Sequence, residues 1–234
     1  VNKLIKLKSH IVLYFHNDPI SMIGSKTVTE RINLLQTCSK IIFNSEWSKK
    51  QFLRDMKNFY HKSKKLEVIH QSINKTKVNL NKKKKQIIFV GKLNSAKGYD
   101  IFGEAIIRIL NKYSKWKSIV IGDEPREKIT LKHKNLKILG FQNHKFVLNA
   151  FAKSSIAVAC SRWEEPFGRT SLEASSRGCA VIISNRGGLP ETITNGVILR
   201  NLNSENLYHS IENLIKNSKY LRRLQKQSIQ NFYL

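Results

Sequence analysis

The chain is predicted to fold as an α/β protein built on parallel sheets, and three observations lead there. Short apolar runs recur along its 234 residues: 11–15 (IVLYF), 40–43 (KIIF), 66–69, 86–91 (QIIFVG), 118–122 (SIVIG), 136–140 (LKILG), 155–160 (SIAVAC) and 179–183 (CAVII). Each is bounded by turn or charged residues and reads as a buried strand. Segments of helical character alternate with them, which favours a parallel sheet with helices on both faces. A hydrophobic content of 41% suffices for packed cores, and the length allows one large domain or one and a half smaller ones. No internal repeat is visible.

In chain order, residues 1–10 are basic and carry no pattern. Strand 11–15 runs into His16-Asn17-Asp18-Pro19, where the proline bars further pairing, so His16 stands on a loop at a strand's carboxyl end. Residues 25–38 read as a helix. After strand 40–43, Ser45 is placed to cap a helix, with Ser48 three residues on. Strand 66–69 closes this first part, taken as domain 1–73. Residues 74–85 (NKTKVNLNKKKK) are polar and aperiodic, and read as an exposed linker.

A second α/β unit is expected over 86–217. Its first strand is followed by the loop 92–98 and a helix over 99–113, with Phe102, Ala105, Ile106, Ile109 and Tyr113 on one stripe. Strand 118–122 ends in Asp123-Glu124-Pro125. Strand 136–140 leads to a helix over 145–153. Strand 155–160 leads through Glu165-Pro166-Phe167-Gly168 into a helix over 169–177, which Gly178 stops before strand 179–183. Residues 204–217 and 219–233 read as amphipathic helices, with 218–234 taken as a terminal helix.

Lys and Arg number 42 against 16 Asp and Glu, a formal net charge of +26. Such a balance suits an anionic partner, whether nucleic acid, an acidic membrane face or phosphorylated substrates. The lysines are scattered rather than gathered in one block, which favours solvated faces for most of them. Cys38, Cys160 and Cys179 lack CxxC spacing and read as buried thiols of a reducing compartment. No apolar run approaches the ~20 residues that span a bilayer, and no signal peptide is read. Because the chain opens on Val1 inside a basic stretch, the protein is expected to begin further upstream.

Residues 161–191 (SRWEEPFGRTSLEASSRGCAVIISNRGGLPE) organise the rest. A strand, a loop at its carboxyl end and a helix mark where open α/β sheets place ligands. Free N–H groups near Gly168 and Arg169 offer an anion site. Glu165 and Glu173, eight residues apart, flank it. The loops 92–98, 123–125 and 162–168 leave neighbouring strand ends, and the first brings Lys92 and Lys97. Cations beside a helix start suit a diphosphate, and carboxylates suit sugar and ribose hydroxyls. No P-loop, GxGxxG or HExxH motif and no aspartate cluster fit for Mg²⁺ occurs, which argues against an NTPase, a dehydrogenase and a metalloenzyme.

These residues resemble glycosyltransferase family 4. Glu165-Pro166-Phe167-Gly168 through Glu173-Ala174, then Gly178 and Gly187-Gly188-Leu189-Pro190-Glu191, look like that family's EX7E region. Phe89-Val90-Gly91-Lys92-Leu93 with Lys97-Gly98 resembles its GR…KG loop, and Gly122-Asp123-Glu124-Pro125 its GDGP turn. Phe43-Asn44-Ser45-Glu46-Trp47-Ser48 resembles the last strand–helix of its amino-terminal domain, and Tyr14-Phe15-His16 that domain's cleft histidine. The resemblance covers most of residues 11–214. It implies a GT-B fold of two Rossmann-like domains with parallel sheets, the first incomplete here, and a retaining, metal-independent transferase using a nucleotide-diphosphate sugar as substrate rather than any cofactor.

The resemblance also assigns roles. Glu173 would take the ribose hydroxyls. Glu165 would contact the donor sugar and help place its anomeric carbon. Lys97 and Lys92 would neutralise the diphosphate, with Phe167, Gly168 and Arg169 at the same phosphates. The backbone near Phe141 and Gln142 would meet the base, and His16 would reach the sugar from the other domain. Lys92 departs from the family's arginine and lacks its bidentate fork. No DxD motif or aspartate cluster is present to hold a metal.

The function expected is hexosyl transfer to a saccharide or lipid-linked acceptor in bacterial lipopolysaccharide or surface polysaccharide synthesis. The protein would work in the cytoplasm, peripheral to the inner face of the membrane, with its basic charge suiting anionic lipid and without a specific nucleic-acid partner. Two alternatives stand beside this reading: a basic nucleic-acid-binding α/β module, motivated by the charge, and an epimerase or phosphorylase on the same fold.

Overall fold

The computed structural model describes residues 10–74, 76–193 and 195–230. They divide into two compact units: the described residues up to Ser72 together with Glu165–Phe167, and Ile73–Glu164 with the described residues from Gly168 onward.

The first unit carries a parallel sheet of β1 (Val12–Phe15), β2 (Lys40–Phe43) and β3 (Leu66–Val68), in that spatial order. Its helices are α1 (Val28–Thr37), α2 (Glu46–Leu53) and the single turn α3 (Asn58–His61). Helix α1 starts later than the sequence pattern suggested. A capping box sets the start: the Glu30 N–H donates to Thr27 Oγ1 at 3.2 Å, and the Thr27 N–H donates to Glu30 Oε2 at 2.8 Å. Helix α2 starts where expected, because Ser45 Oγ accepts the Ser48 N–H at 2.9 Å. The core is aromatic: the Phe43 ring centre lies 5.6 Å from Phe15 and 5.2 Å from Phe52. Arg31 is buried beside it, and its guanidinium donates to the carbonyls of Ser25, Lys26 and Arg54. Three accepting carbonyls explain how this core tolerates a cation.

The second unit is a six-stranded parallel sheet of order β6-β5-β4-β7-β8-β9. Its strands are β4 (Lys84–Val90), β5 (Lys117–Ile121), β6 (Leu136–Ile138), β7 (Ser154–Ala159), β8 (Ala180–Ser184) and β9 (Val197–Leu199). Its helices are α4 (Tyr99–Lys112), α5 (His144–Lys153), α6 (Arg169–Ser176), α7 (Ser204–Lys216) and α8 (Ser218–Gln230). Successive strand residues pack into different cores. Ile87, Phe89, Ile156 and Val158 join α4 and α7 residues such as Phe102 and Ile211, while Ile88, Ala157 and Val181 join Phe151 and Ala174 of α5 and α6. Both sheet faces are covered, so the strands read as unbroken apolar runs rather than alternations.

The stretch 74–85 is not wholly an exposed linker. Strand β4 takes in Lys84 and Lys85, and the Lys83 ammonium is drawn inward. It donates to the carbonyls of Phe151 at 2.9 Å and of Ser154 and Arg177 at 2.7 Å, near the carboxyl ends of α5 and α6. Unsatisfied helix-end carbonyls attract such a charge, while burial pushes its pKa down. Strand β9 has no counterpart in the sequence reading, because three residues carry too little pattern. The expected helix over 218–234 is seen as α8; residues 231–234, like the basic residues 1–9, lie outside the described residues. No helix among the described residues is long and apolar enough to cross a membrane.

Candidate functional site

In the second unit the chain lays down β4, β5 and β6 toward one edge, then returns to place β7 on the other side of β4. The carboxyl ends of β4 and β7 therefore flank a topological switch point, the crevice where such sheets bind ligands. The three loops singled out from sequence meet here. The Leu93 N–H donates to Asp123 O at 3.3 Å, and Asn94 Nδ2 donates to Glu124 Oε2 at 3.2 Å. The N–H groups of Arg162 and Trp163 donate to Ala96 O at 2.9 and 3.1 Å. Arg162 also grips Asp100 with two bonds of 2.6 Å, which holds that carboxyl below its ordinary range. Arg126 does the same to Glu124, whose pKa falls to about 2. A further carboxylate, Glu164, ties the Gly187 N–H and Arg186 to the loop after β7.

Lys92 and Lys97 sit on this braced loop, Lys92 exposed and Lys97 half-buried. Lys97 ends a short 3-10 turn, Ser95–Lys97, capped by Asn94. Gly98 then opens α4 at φ 72°, and a Cβ there would lie 1.9 Å from Cys160 O. This glycine lets the lysine loop close onto β7.

Helix α6 starts at Gly168, φ 102°, and no side chain caps it. The first N–H groups of α6 are accordingly available to an anion, beside Arg169. Glu173, one turn in, is only 8% exposed. A default surface glutamate would be solvated, whereas this one is held: its Oε1 lies 3.0 Å from His144 Nε2 and 3.4 Å from Arg169 Nη2. Phe141, on the loop after β6, is 76% exposed and so presents a ring to solvent at the same sheet edge.

The remaining predicted residues group with the first unit. His16 is exposed on the loop after β1. Its Nδ1 lies 2.8 Å from Gln71 Nε2, its ring rests 4.4 Å from Tyr14, and its carbonyl accepts from Asn44 Nδ2 at 3.0 Å. Gln71 thus fixes the His16 ring through Nδ1. Glu165 and Phe167 belong to this unit as well. Ser48 Oγ donates to Asn44 Oδ1 at 2.8 Å and is 3.3 Å from Pro166 O, so Asn44 and Ser48 link the His16 loop to the segment bearing Glu165. The Phe167 ring is 3% exposed and faces His70 at 5.6 Å. This residue offers a ligand its backbone, not its side chain.

The structure thus gathers Lys92, Lys97, Phe141, Gly168, Arg169 and Glu173 at one sheet edge, and His16, Glu165 and Phe167 in the other unit. Sequence reasoning missed His144 and Gln71. His144 is the first residue of α5, after a fourth strand pointing to the same edge, and the loop argument covered only the loops after the other three strands.

Residues 70–231 match the family described as Glycosyl transferases group 1. The chain is 31% identical to spore coat protein SA of Bacillus subtilis (strain 168) over 162 residues, 62% of this chain and 43% of that protein. It is 28% identical over 132 residues to the lipopolysaccharide core biosynthesis mannosyltransferase LpsB of Rhizobium meliloti (strain 1021), 52% of this chain and 37% of that one. It therefore spans less than half the length of these relatives. Among solved structures, Anabaena Alr3699/HepE in complex with UDP-glucose superposes with a TM-score of 0.76 at 18% identity, over 95% of this chain and 67% of that one. That likeness concerns the fold, which is α/β with parallel sheets as in GT-B glycosyltransferases. With more than half of its length matched, the chain belongs to the glycosyl transferases group 1 family.

Proposed function

We propose that the protein is a retaining, metal-independent glycosyltransferase of family 4. It moves a sugar from a nucleotide-diphosphate donor to a saccharide or lipid-linked acceptor, in the synthesis of bacterial lipopolysaccharide or surface polysaccharide. The observation that carries this reading is the buried Glu173, held beside the uncapped start of α6 at the sheet's switch point. Glu173 accepts from the ribose hydroxyls. The α6 N–H groups, Lys97 and Lys92 neutralise the diphosphate. Glu165 and His16 orient the sugar.

Charge grows on the diphosphate as the anomeric bond breaks and an oxocarbenium-like centre develops. Fixed N–H groups and lysines placed at that charge lower the barrier without reorganising. The protein works in the cytoplasm against the inner, anionic face of the membrane. The acid-free helix α8 supports this with Lys219, Arg222, Arg223 and Lys226 at helical spacing along one face.

Calorimetry with UDP, GDP and ADP tests the donor site. The wild-type protein is expected to bind one of the three, and Glu173→Ala and Lys97→Ala each to abolish that binding. Wild-type affinity in both variants would end this reading.

A further inference from the structure

Glu173 is held by a residue that its own helix does not supply. His144 Nε2 lies 3.0 Å from Glu173 Oε1. A carboxylate only accepts, so the ring nitrogen facing it carries the proton. The ring is not needed to start α5: Asn143 caps that helix, its Oδ1 accepting the Phe146 N–H at 2.9 Å. Nor does the ring fill a core, being 58% exposed at its side chain. Among the described residues its hydrogen bond is to the carboxylate.

Arg169 reaches the same oxygen from 3.4 Å with a side chain 63% exposed, a looser and longer hold. Both contacts fall on Oε1. A glutamate that must accept from two adjacent hydroxyls loses side-chain freedom on binding. A hydrogen bond that fixes the carboxylate plane beforehand removes part of that cost. Arg169 lies beside the open start of α6, where a phosphate would attract it. His144 is then the contact that stays on Glu173.

We infer that His144 is a positioning residue for recognition of the nucleotide's ribose: it orients Glu173 so that the second carboxylate oxygen meets the ribose diol. This rests on the nucleotide-sugar reading of the site.

The test compares wild type, His144→Ala and His144→Gln against UDP and against 2′,3′-dideoxy-UDP by calorimetry, with thermal midpoints measured alongside. For UDP, His144→Ala is expected to weaken binding about five- to tenfold, the worth of one ordinary hydrogen bond. His144→Gln, whose amide can donate to the same oxygen, should restore most of the affinity. For the dideoxy compound, wild type and His144→Ala should bind alike, because the diol that Glu173 is held for is gone. Equal weakening toward both compounds, or no weakening toward either, overturns the proposal. Wild-type protein that binds none of UDP, GDP or ADP instead overturns the donor reading, and this inference with it.

Discussion

A Cβ on Gly98 would sit 1.9 Å from a backbone oxygen of β7's end, at a φ of 72°. A strained φ alone costs on the order of 1–3 kcal/mol. Here the clash is with main chain, which cannot rotate aside. Gly98→Ala is expected to lower stability by more than about 3 kcal/mol in urea unfolding, and to loosen the Lys97 loop with it. Glu173 could be picked out from sequence by its spacing from Glu165 and by the helix start between them. Spacing could not say that it is buried, which comes from α5 packing on α6. His144 was illegible for the same reason: its partner is 29 residues away on another helix, and a histidine after a capping asparagine carries no pattern of its own. Gln71 likewise meets His16 across 55 residues, at the end of a strand whose neighbour is set only by sheet order.

Helices α4 and α7 pack on the same sheet face, and Glu212 of α7 stands where they meet. Lys112 Nζ lies 2.8 Å from its carboxylate, Tyr113 and Tyr208 each donate at 2.9 Å, and Lys216 is 3.3 Å away. Lys112 chiefly, then the tyrosines, lower its pKa from 4.5 to about 2. A carboxylate lowered on folding adds stability that is fully present above its unfolded value and is lost as pH falls through the folded one. Wild-type stability should therefore decline between about pH 4.5 and about pH 2. Glu212→Gln should flatten part of that decline in thermal melts across the range, and an unchanged slope would show the cluster to be inert. The alternation of strands and helices was legible because each buried strand is an apolar run and each helix an amphipathic one. The boundaries were less so. A capping box moved the start of α1, and the lysine run was misread at its end because Lys83 finds three carbonyls that local sequence does not reveal.

The charge of +26 belongs to the chain as a whole, yet α8 concentrates some of it. Its residues Lys219, Arg222, Arg223 and Lys226 share a face, and the helix contains no acid. Each basic residue near an anionic bilayer contributes about 1 kcal/mol, screened within a Debye length of about 8–10 Å. The protein is expected to co-sediment with phosphatidylglycerol vesicles at low salt, and replacing the four residues by serine to weaken this on the order of a thousandfold. Binding to neutral vesicles alone, or equal binding by the variant, would remove the membrane from the proposed role. The three cysteines offer something different. Cys38 lies in the first unit, Cys160 and Cys179 in the second, and all are buried. Desolvation pushes the Cys160 thiol up to about 12, so alkylating reagents meet no thiolate there until the backbone opens. Each unit thus contains its own native chronometer, and the rate at which each thiol becomes modifiable would time the opening of one unit independently of the other, with no introduced label.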